Sequence, residues 1–367
     1  MKKIGILSMQ RIKNYGSFLQ AYALKKIVEE FDTKVEFVDY TVEKPLINNQ
    51  KNQNKISKGL ESLKGYGKLS HKMKYILYKN NFDKKYFKIL GLNSKPNYNA
   101  KVDTLIIGSD EVFNCIQSNE NVGYSLELFG KNNNAKKVIT YAASFGNTTI
   151  EKIEKYSKKE ELSKLLKKID AISVRDDNSY NIVSKLTKVK PQKNLDPVLI
   201  YEYMEKKDII PNLDLKEKYL ILYAYSGRIT KNEAKKIKIF AKKNKLKIYS
   251  IGGVQKCADR FIDCSPFEVL SYFNNAEYII TDTFHGSIFS IINHKKFVTL
   301  VRKSSGNSYG NEEKLTDLLK TLDLNKRMIY DVDDLENIIY ESIDYKSVEK
   351  ILKIEREKTK KYIKENI

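Results

Sequence analysis

Tryptophan is absent from this 367-residue chain, and cysteine and proline are scarce. The three cysteines, Cys115, Cys257 and Cys264, are too few and too scattered for a disulfide framework or a zinc cluster, so a reducing compartment is the simplest setting. Only 6 prolines and 16 glycines argue against long disordered or low-complexity segments. The length allows two domains, each with its own buried core.

Long apolar runs are also lacking. No stretch approaches the roughly 20 apolar residues of a membrane-spanning helix. Residues 1–10 have neither the apolar length nor the cleavage site of a secretory signal. We therefore expect a cytoplasmic protein, with peripheral attachment to the inner face of the membrane left open.

Arginine is rare, although the chain is strongly basic. Lysine and arginine total 67 against 46 acidic residues, a net charge of +21, yet only seven of the basic residues are arginine. Arginine is the better reader of phosphates and bases, and the wealth of Lys, Asn, Ile and Tyr is typical of a coding bias. Nucleic acid is therefore a disfavoured partner, whereas a small anionic substrate or an anionic lipid surface fits the charge. The sequence leaves a homodimer open.

Apolar strand patterns alternate with helical patterns in two successive sets. A strand at 4–9, a helix at 17–29 and a strand at 35–40 form an opening unit that requires a parallel sheet. The remaining predicted elements are strands at 105–107, 138–141, 172–174, 219–225, 247–251, 278–281 and 297–301, and helices at 150–168, 231–243, 266–275 and 287–293. This alternation predicts an α/β fold with two Rossmann-like domains facing a cleft. The expected domains are residues 1–195 and 196–344, and a polar helix at 345–367 is expected to return toward the first domain.

A basic segment near residues 45–100 interrupts the first domain. Between residues 51 and 95 there are 12 lysines and 2 acidic residues, a net charge of +10, and the apolar residues among them suit one or two amphipathic helices. The favoured interpretation is a helical insertion that packs on the first domain with solvated lysines. The alternative is a basic face lying against anionic lipid, near a lipid-linked acceptor.

The segment at 279–291, Ile-Ile-Thr-Asp-Thr-Phe-His-Gly-Ser-Ile-Phe-Ser-Ile, carries the clearest signal of an active site. Open parallel sheets bind ligands beyond the carboxyl ends of their strands, where the next helix presents free N–H groups. We predict that His285 is a catalytic acid or base at such a helix terminus and that Asp282 orients its ring. The predicted ligand-binding residues of this segment are Thr283, Gly286 and Ser287.

Two further strand ends carry polar residues. Gly108, Ser109 and Asp110 follow the strand at 105–107, and Asp110 is a catalytic candidate whose alternative role is a helix N-cap. Arg175 follows the strand at 172–174, a position that suits capture of a carboxylate or phosphate.

The alternative for Arg175 is an ion pair with Asp176 or Asp177. Gly16, after the first strand, would let the backbone approach the cleft, although a helix capped at Ser17 explains it equally well.

No metal site is expected. The acidic run from Asp331 to Asp334 precedes a helix and is better explained by capping, and the chain has no phosphate loop of the G-x-x-x-x-G-K-[ST] type. The other two histidines, His71 and His294, are assigned to the surface.

Six stretches, in order, resemble the polysaccharide pyruvyl transferase family over roughly residues 3–330. They are Asn14-Tyr-Gly-Ser-Phe-Leu-Gln-Ala-Tyr-Ala-Leu, Gly108-Ser-Asp-Glu-Val-Phe-Asn, Tyr141-Ala-Ala-Ser-Phe-Gly, Ser173-Val-Arg-Asp, Asp196-Pro-Val-Leu and Thr281-Asp-Thr-Phe-His-Gly-Ser-Ile-Phe-Ser-Ile. The chain departs from the family pattern at Glu111-Val-Phe113, where Gln-Val-Trp is usual. The basic residue that the family often has ahead of a Leu-Leu pair corresponds to Lys314.

The resemblance implies a GT-B-like fold and transfer of pyruvate from phosphoenolpyruvate to two hydroxyls of a sugar, in cell-surface polysaccharide or glycan biosynthesis. It implies His285 as the acid or base, Arg175 and the helix terminus at Gly286 as the donor site, and Asp110 at the acceptor, which is a sugar or a lipid-linked glycan. It implies no cofactor besides the donor substrate. The rival interpretations are a glycosyltransferase that uses a nucleotide sugar and a non-catalytic basic binding protein.

Overall fold

The structure, a computed structural model, describes residues 1–47, 67–303 and 312–367. Within these residues the chain forms two parallel six-stranded sheets flanked by helices, which confirms the α/β fold with two facing Rossmann-like domains. The part of the predicted basic insertion at 48–66 lies outside the described residues.

The first sheet contains the strands β1 (Lys2–Leu7), β2 (Thr33–Phe37), β3 (Thr104–Asp110), β4 (Lys137–Ala143), β5 (Ser173–Val174) and β6 (Gln192–Lys193). Their spatial order is β2-β1-β3-β4-β5-β6, and Ile6 of β1 lies opposite Phe37 on one side and Ile106 on the other. The helices of this half are α1 (Tyr15–Glu29), α2 (Leu69–Leu90), α3 (Ile150–Lys155), α4 (Lys159–Leu166) and α5 (Asp177–Thr187).

The second sheet contains the strands β7 (Tyr219–Tyr223), β8 (Lys247–Ile251), β9 (Arg260–Phe261), β10 (Tyr278–Thr281), β11 (Phe297–Leu300) and β12 (Met328–Ile329), in the order β12-β11-β10-β7-β8-β9. The helices of this half are α6 (Pro197–Ile200), α7 (Lys231–Lys243), α8 (Pro266–Asn275), α9 (Phe284–Ile292), α10 (Glu312–Thr321), α11 (Leu335–Ile339) and α12 (Tyr345–Asn366). All five residues of β7 are buried, as expected for a parallel strand covered on both faces.

An aromatic seam joins the two halves. The ring of Phe18 on α1 packs edge-on against Phe267 on α8, with 5.9 Å between the ring centroids. The hydroxyl of Tyr15 donates a 3.1 Å hydrogen bond to the carbonyl of Cys264. These residues belong to one apolar cluster that runs from the first sheet into the second, so the two halves share a core.

The last helix, α12, lies against the first half. The hydroxyl of Tyr362 donates a 2.8 Å hydrogen bond to the carbonyl of Thr140 on β4. The side chains of Tyr141 and Thr359 are joined by a second hydrogen bond of 3.3 Å. The amine of Lys2 reaches the carbonyl of Ile367 at 3.0 Å.

Helix α2, the described part of the predicted insertion, packs on both halves. Phe82 is buried against α1, and the ring of Tyr75 packs edge-on against Phe261 of the second sheet at 5.8 Å. The interpretation that the insertion packs on the first domain alone is therefore incomplete. His71, predicted to be on the surface, is buried at the start of this helix.

No helix in the described ranges is long and apolar enough to cross a membrane. Two local differences from the predictions have simple causes. The predicted helix at 150–168 is two helices, because Ser157 between them has a positive φ of 52°. Strands β6, β9 and β12 were not predicted, since a two-residue edge strand leaves no periodic pattern.

Candidate active site

A cavity of about 520 Å³ lies between the two sheets. The strand order reverses between β1 and β3 in the first sheet and between β7 and β10 in the second. Such reversal points, at the carboxyl ends of the strands, are where open α/β sheets bind ligands. Both points open into the cavity, because its wall includes Met9, Asp110, Tyr225 and Asp282 at or just beyond the ends of these four strands.

His285 enters the cavity from the first turn of α9. Thr283 caps this helix, since its side-chain oxygen accepts a 2.9 Å hydrogen bond from the backbone N–H of Gly286. The imidazole ring rests on Gly16 of α1, from the opposite half. A Cβ atom at Gly16 would lie 2.3 Å from Nδ1 of His285, so any side chain at residue 16 would displace the imidazole ring.

Asp196 joins His285 to Arg175. Its Oδ2 atom lies 3.0 Å from Nη1 of Arg175 and 3.5 Å from Nε2 of His285. Its Oδ1 atom accepts the N–H of Val198 and caps α6, which fixes the carboxylate in place. Burial alone would raise the pKa of Asp196, but the charges of His285 and Arg175 and the N–H of Val198 lower it, so the carboxylate is ionised.

Sequence reasoning placed Asp282, not Asp196, beside the imidazole. In the structure the carboxylate within ion-pair distance of His285, among the described residues, is that of Asp196. Asp196 was visible only as part of the Asp196-Pro-Val-Leu stretch, and no local pattern ties it to a histidine 89 positions further along the chain.

Arg175 lies at the end of β5, beneath the ring of Phe284, with its guanidinium carbon 4.2 Å from the ring centroid. Its Nη1 atom is also 3.7 Å from Oδ1 of Asp110. The predicted alternative partner Asp176 instead caps α5 by accepting the N–H of Ser179. Among the described residues, Nε of Arg175 is buried and has no hydrogen-bond partner, whereas Nε2 of His285 faces the carboxylate of Asp196. A buried N–H of this kind suits a ligand that brings an oxygen acceptor.

Asp110 lies across the cavity wall from the α9 terminus. Its Oδ2 atom accepts a 2.9 Å hydrogen bond from the hydroxyl of Ser17, and its own backbone has a positive φ of 74°. Asp110 therefore does not cap a helix. The cap of α1 is Asn14, which accepts the N–H of Ser17, and this replaces the predicted start at Ser17.

Asp282 is fully buried at the cavity floor, 3.7 Å from Nη1 of Arg228. Burial raises the pKa of Asp282 to about 6, against the opposing attraction of Arg228 and Arg302. Its carboxyl group thus changes charge close to neutral pH, a property common at functional sites.

A sequence model of the family described as "Polysaccharide pyruvyl transferase" matches residues 14–304, which include every cavity residue named above except Met9. The chain belongs to this family. Family membership makes it an enzyme, a transferase of the polysaccharide pyruvyl transferase type. No curated protein matches the chain significantly.

Solved structures of similar architecture span nearly the whole of this family member. The UDP-GlcNAc 2-epimerase of Methanocaldococcus jannaschii is 13% identical with a TM-score of 0.47, over 96% of this chain and 99% of that one. The corresponding epimerase of Rickettsia bellii is 13% identical with a TM-score of 0.44, over 99% and 97%. The O-GlcNAc transferase of Thermobaculum terrenum is 11% identical with a TM-score of 0.40, over 98% and 64%.

The other predicted binding residues of this pyruvyl transferase family member divide into two groups. Gly16 and Thr283 line the cavity. Four others lie in the layer beneath it, namely Gly108, Ser109, Gly286 and Ser287. The hydroxyl of Ser287 is bonded to Thr283 and Thr299, and a Cβ at Gly286 would meet Thr281 at 2.1 Å, so these two residues support the α9 terminus from below.

Gly108 packs in the same close way under β4. A Cβ there would lie 2.1 Å from the carbonyl oxygen of Tyr141, and the φ of Gly108 is +131°. The hydroxyl of Ser109 accepts the N–H of Asp110 at 2.6 Å and so helps to orient that residue.

Sequence reasoning missed three cations on the cavity wall, Lys79, Lys152 and Arg228, and it noted a fourth, Lys314, only as a position of the family pattern. Burial of Lys79, which lies on α2, and repulsion by Lys13 lower its pKa to about 8. The amine of Lys314 lies 2.8 Å from Oε1 of Glu111 in the opposite half. Glu111 begins the stretch where the chain departs from the family pattern, and Lys314 is the basic residue of that pattern. These two residues therefore meet across the cleft.

Proposed function

We propose that this family member transfers pyruvate from phosphoenolpyruvate to two hydroxyls of a sugar, forming a ketal, in the synthesis of a cell-surface polysaccharide or glycan. The observation that carries the proposal is the meeting of Arg175 and His285 at one carboxylate in the cavity wall, where the buried Nε of Arg175 has no hydrogen-bond partner among the described residues. No redox cofactor or metal is needed for the reaction.

The donor carries a carboxylate and a phosphate, which suits this cationic wall. The guanidinium of Arg175 offers its Nε–H to a carboxylate oxygen, and the positive end of the α9 dipole favours an anion next to His285. Lys79, Lys152 and Lys314 supply further positive charge around the same cavity. Because Asp196 already pairs with Arg175, the guanidinium is held in place before the donor binds.

The reaction requires that the methylene carbon of phosphoenolpyruvate be protonated. Protonated His285 gives a proton to the methylene carbon of the donor, so that the adjacent carbon becomes oxocarbenium-like and is attacked by a sugar hydroxyl. The second hydroxyl then attacks the same carbon and inorganic phosphate leaves. The two hydroxyl protons pass to the imidazole and to the departing phosphate, and Asp110 orients the acceptor or accepts one of them on the way.

The direct test is a transfer assay with the purified protein. Phosphoenolpyruvate is incubated with a panel of bacterial sugars and lipid-linked glycans, and phosphate release is measured together with the mass of the product. We expect release of phosphate matched by the mass gain of a pyruvate ketal. Phosphate release without a modified sugar, or none with any acceptor, contradicts the proposal.

A substitution of His285 tests its role as the catalytic acid. His285→Ala should lower turnover by about 10²–10⁴-fold, with an unchanged circular dichroism spectrum. His294→Ala, at an exposed histidine just after the end of α9, is the matched control and should leave turnover unchanged. Near-normal turnover of His285→Ala would remove the acid–base assignment.

Calorimetry separates the donor classes. Heat on addition of phosphoenolpyruvate, lost in Arg175→Ala, supports the proposed donor. Tight binding of uridine or cytidine nucleotide sugars with no response to phosphoenolpyruvate supports the glycosyltransferase alternative instead. Binding to nucleic acid that weakens steeply with salt, and that is unchanged in His285→Ala, supports the alternative of a non-catalytic basic binding protein.

A further inference from the structure

Helix α2 presents an apolar stripe to solvent. Leu69, Met73 and Leu77 are 69%, 58% and 56% exposed, and they recur every four residues, so they lie on one side of the helix. The other side of α2 is buried in the seam between the halves through Tyr78 and Phe82. Within the described ranges, packing does not account for three large apolar side chains in a row on the solvent side.

Positive charge continues and flanks this stripe. Lys84 and Lys88, both exposed, lie seven and eleven residues after Leu77 and so prolong the same face of the helix. Lys74 is exposed beside Met73. The only acidic residue of α2, Asp83, is paired with Lys13 at 2.9 Å. The face is therefore apolar at its start and cationic at its end.

We infer that the outer face of α2 docks on an anionic lipid bilayer. Apolar side chains that enter the acyl boundary, with lysines at the level of the headgroups, are the features of an interfacial helix. The apolar stripe favours lipid over nucleic acid, which offers phosphates but no apolar layer on its outside. The inference does not depend on the reaction proposed above.

The helix that carries the outer face also contributes to the wall of the interdomain cavity. Tyr78 and Lys79, which follow Leu77 directly, line the interdomain cavity. Docking through Leu69, Met73 and Leu77 therefore places the membrane against the outer side of a helix whose inner side forms part of the cavity wall. In the reaction proposed above, an acceptor anchored in lipid would then be held close to the cavity.

Vesicle co-sedimentation without donor or acceptor tests the inference. Vesicles of equal parts phosphatidylglycerol and phosphatidylcholine are compared with vesicles of phosphatidylcholine alone. We expect the wild-type protein to sediment with the anionic vesicles, less so as salt is added, and not with the neutral ones. No sedimentation with anionic vesicles, or equal sedimentation with both, overturns the inference.

Two variants and their matched controls locate the surface. Leu69→Ser/Met73→Ser/Leu77→Ser should weaken vesicle binding about tenfold or more, whereas Val189→Ser/Ile239→Ser/Ile354→Ser, which changes three equally exposed apolar residues elsewhere, should not. Lys84→Glu/Lys88→Glu should weaken binding about 25-fold or more, whereas Lys235→Glu/Lys238→Glu on α7 makes the same change in net charge with a smaller effect.

Melting curves are measured for all variants, so that unfolding can be excluded as the cause of a loss of vesicle binding. If the α2 variants bind as the wild type does, or if each control loses as much as its counterpart, the docking face is not on α2 and the inference fails. Binding of single-stranded RNA that displaces the vesicles and is insensitive to the apolar substitutions would also overturn it.

Discussion

At the scale of single residues, Asp196 positions both the catalytic candidate His285 and the donor-binding candidate Arg175. One of its carboxylate oxygens serves Arg175 and His285 together, while the other caps α6. A buried charge that loses its counter-charge is costly, typically 3–5 kcal/mol when one partner of a pair is removed.

We therefore expect Asp196→Asn to lower kcat by on the order of 10²-fold and to lower the melting temperature. An asparagine keeps the cap of α6, so the loss reports on charge rather than on helix capping. Asp177→Asn, at an exposed carboxylate nearby, is the control. An unchanged kcat in Asp196→Asn, measured by phosphate release, would show that Asp196 does not position the site.

Asp282 gives a pH-dependent prediction. Its pKa of about 6 in the folded protein is above the ordinary value of 3.8, so the folded state binds a proton more tightly than the unfolded one. The contribution of Asp282 to stability is therefore fully present below about pH 4 and is lost as the pH rises through about 6, by on the order of 3 kcal/mol.

Asp282→Asn should remove this loss. We expect the variant to melt at a higher temperature than the wild type at pH 7 and to show a flatter dependence of stability on pH between about 4 and 6. Parallel melting curves across this range check it. An equal slope in both proteins would show that the buried carboxyl group does not titrate there.

The residue scale also shows what the sequence can tell. His285 and Arg175 were predictable because each follows an apolar strand in a chain that has few histidines and arginines. Asp196 was not, because its role depends on the closure of β5, α6 and α9 around one point. Lys79 and Lys152 of the cavity wall were hidden among the many lysines of the chain.

At the scale of elements, the contact between α1 and α9 carries a prediction. Gly16→Ala should favour helix α1 locally, since alanine has the higher helix propensity. Its Cβ would nevertheless meet the ring of His285, and the ring would have to leave its position. We expect activity to fall at least tenfold, a rough value for a displaced catalytic group.

A double-mutant cycle identifies the cause. Gly16→Ala should lower the melting temperature of the wild type, and should lower it less in the His285→Ala background, because the ring atoms are gone and only the Cβ of residue 285, 2.9 Å away, remains in the way. An equal destabilisation by Gly16→Ala in both backgrounds would mean that the glycine serves some other contact.

Elements with a strong local signal were predicted most closely. Helices α7 and α8 begin with capping boxes, Thr230 with Glu233 and Ser265 with Glu268, and their predicted bounds agree with the structure. Helix α9 begins three residues before the prediction, since its cap is Thr283. The edge strands were missed because pairing with a neighbour, which only the fold supplies, creates them.

At the scale of the whole molecule, α10 of the second half is fastened to the first half by two ion pairs. Lys314 pairs with Glu111 at 2.8 Å, and Asp317 pairs with Lys193 at 2.9 Å. Both carboxylates and both lysines are at least partly shielded from solvent, so these pairs are stronger than exposed ones.

Glu111→Gln and Lys314→Met should each destabilise the protein, and the double variant should lose less than the sum of the two. We expect a coupling free energy of about 0.5–1 kcal/mol from denaturant unfolding. Additive losses would show that the pair does not hold the cleft closed. Lys358→Met, whose partner is the neighbouring Glu355, is the control within one helix.

The two-domain architecture could be predicted from the alternation of strands and helices. The placement of α2 could not, because its tyrosines and phenylalanines indicate burial without telling which surface covers them. Tyr75 and Phe82 find their partners on opposite sides of the cleft.

The aromatic seam around Phe18, Phe267 and Cys264 has a consequence for how such an enzyme can be diversified. A protein assembled from separable modules can change specificity by exchanging one module for a relative's. In this protein, a chimera of two relatives' halves would need aromatic residues that pack together across the seam. It would also need a glycine at the position that faces the histidine of the other half. We therefore expect ligand specificity to change by point substitution around the cavity rather than by recombination of halves.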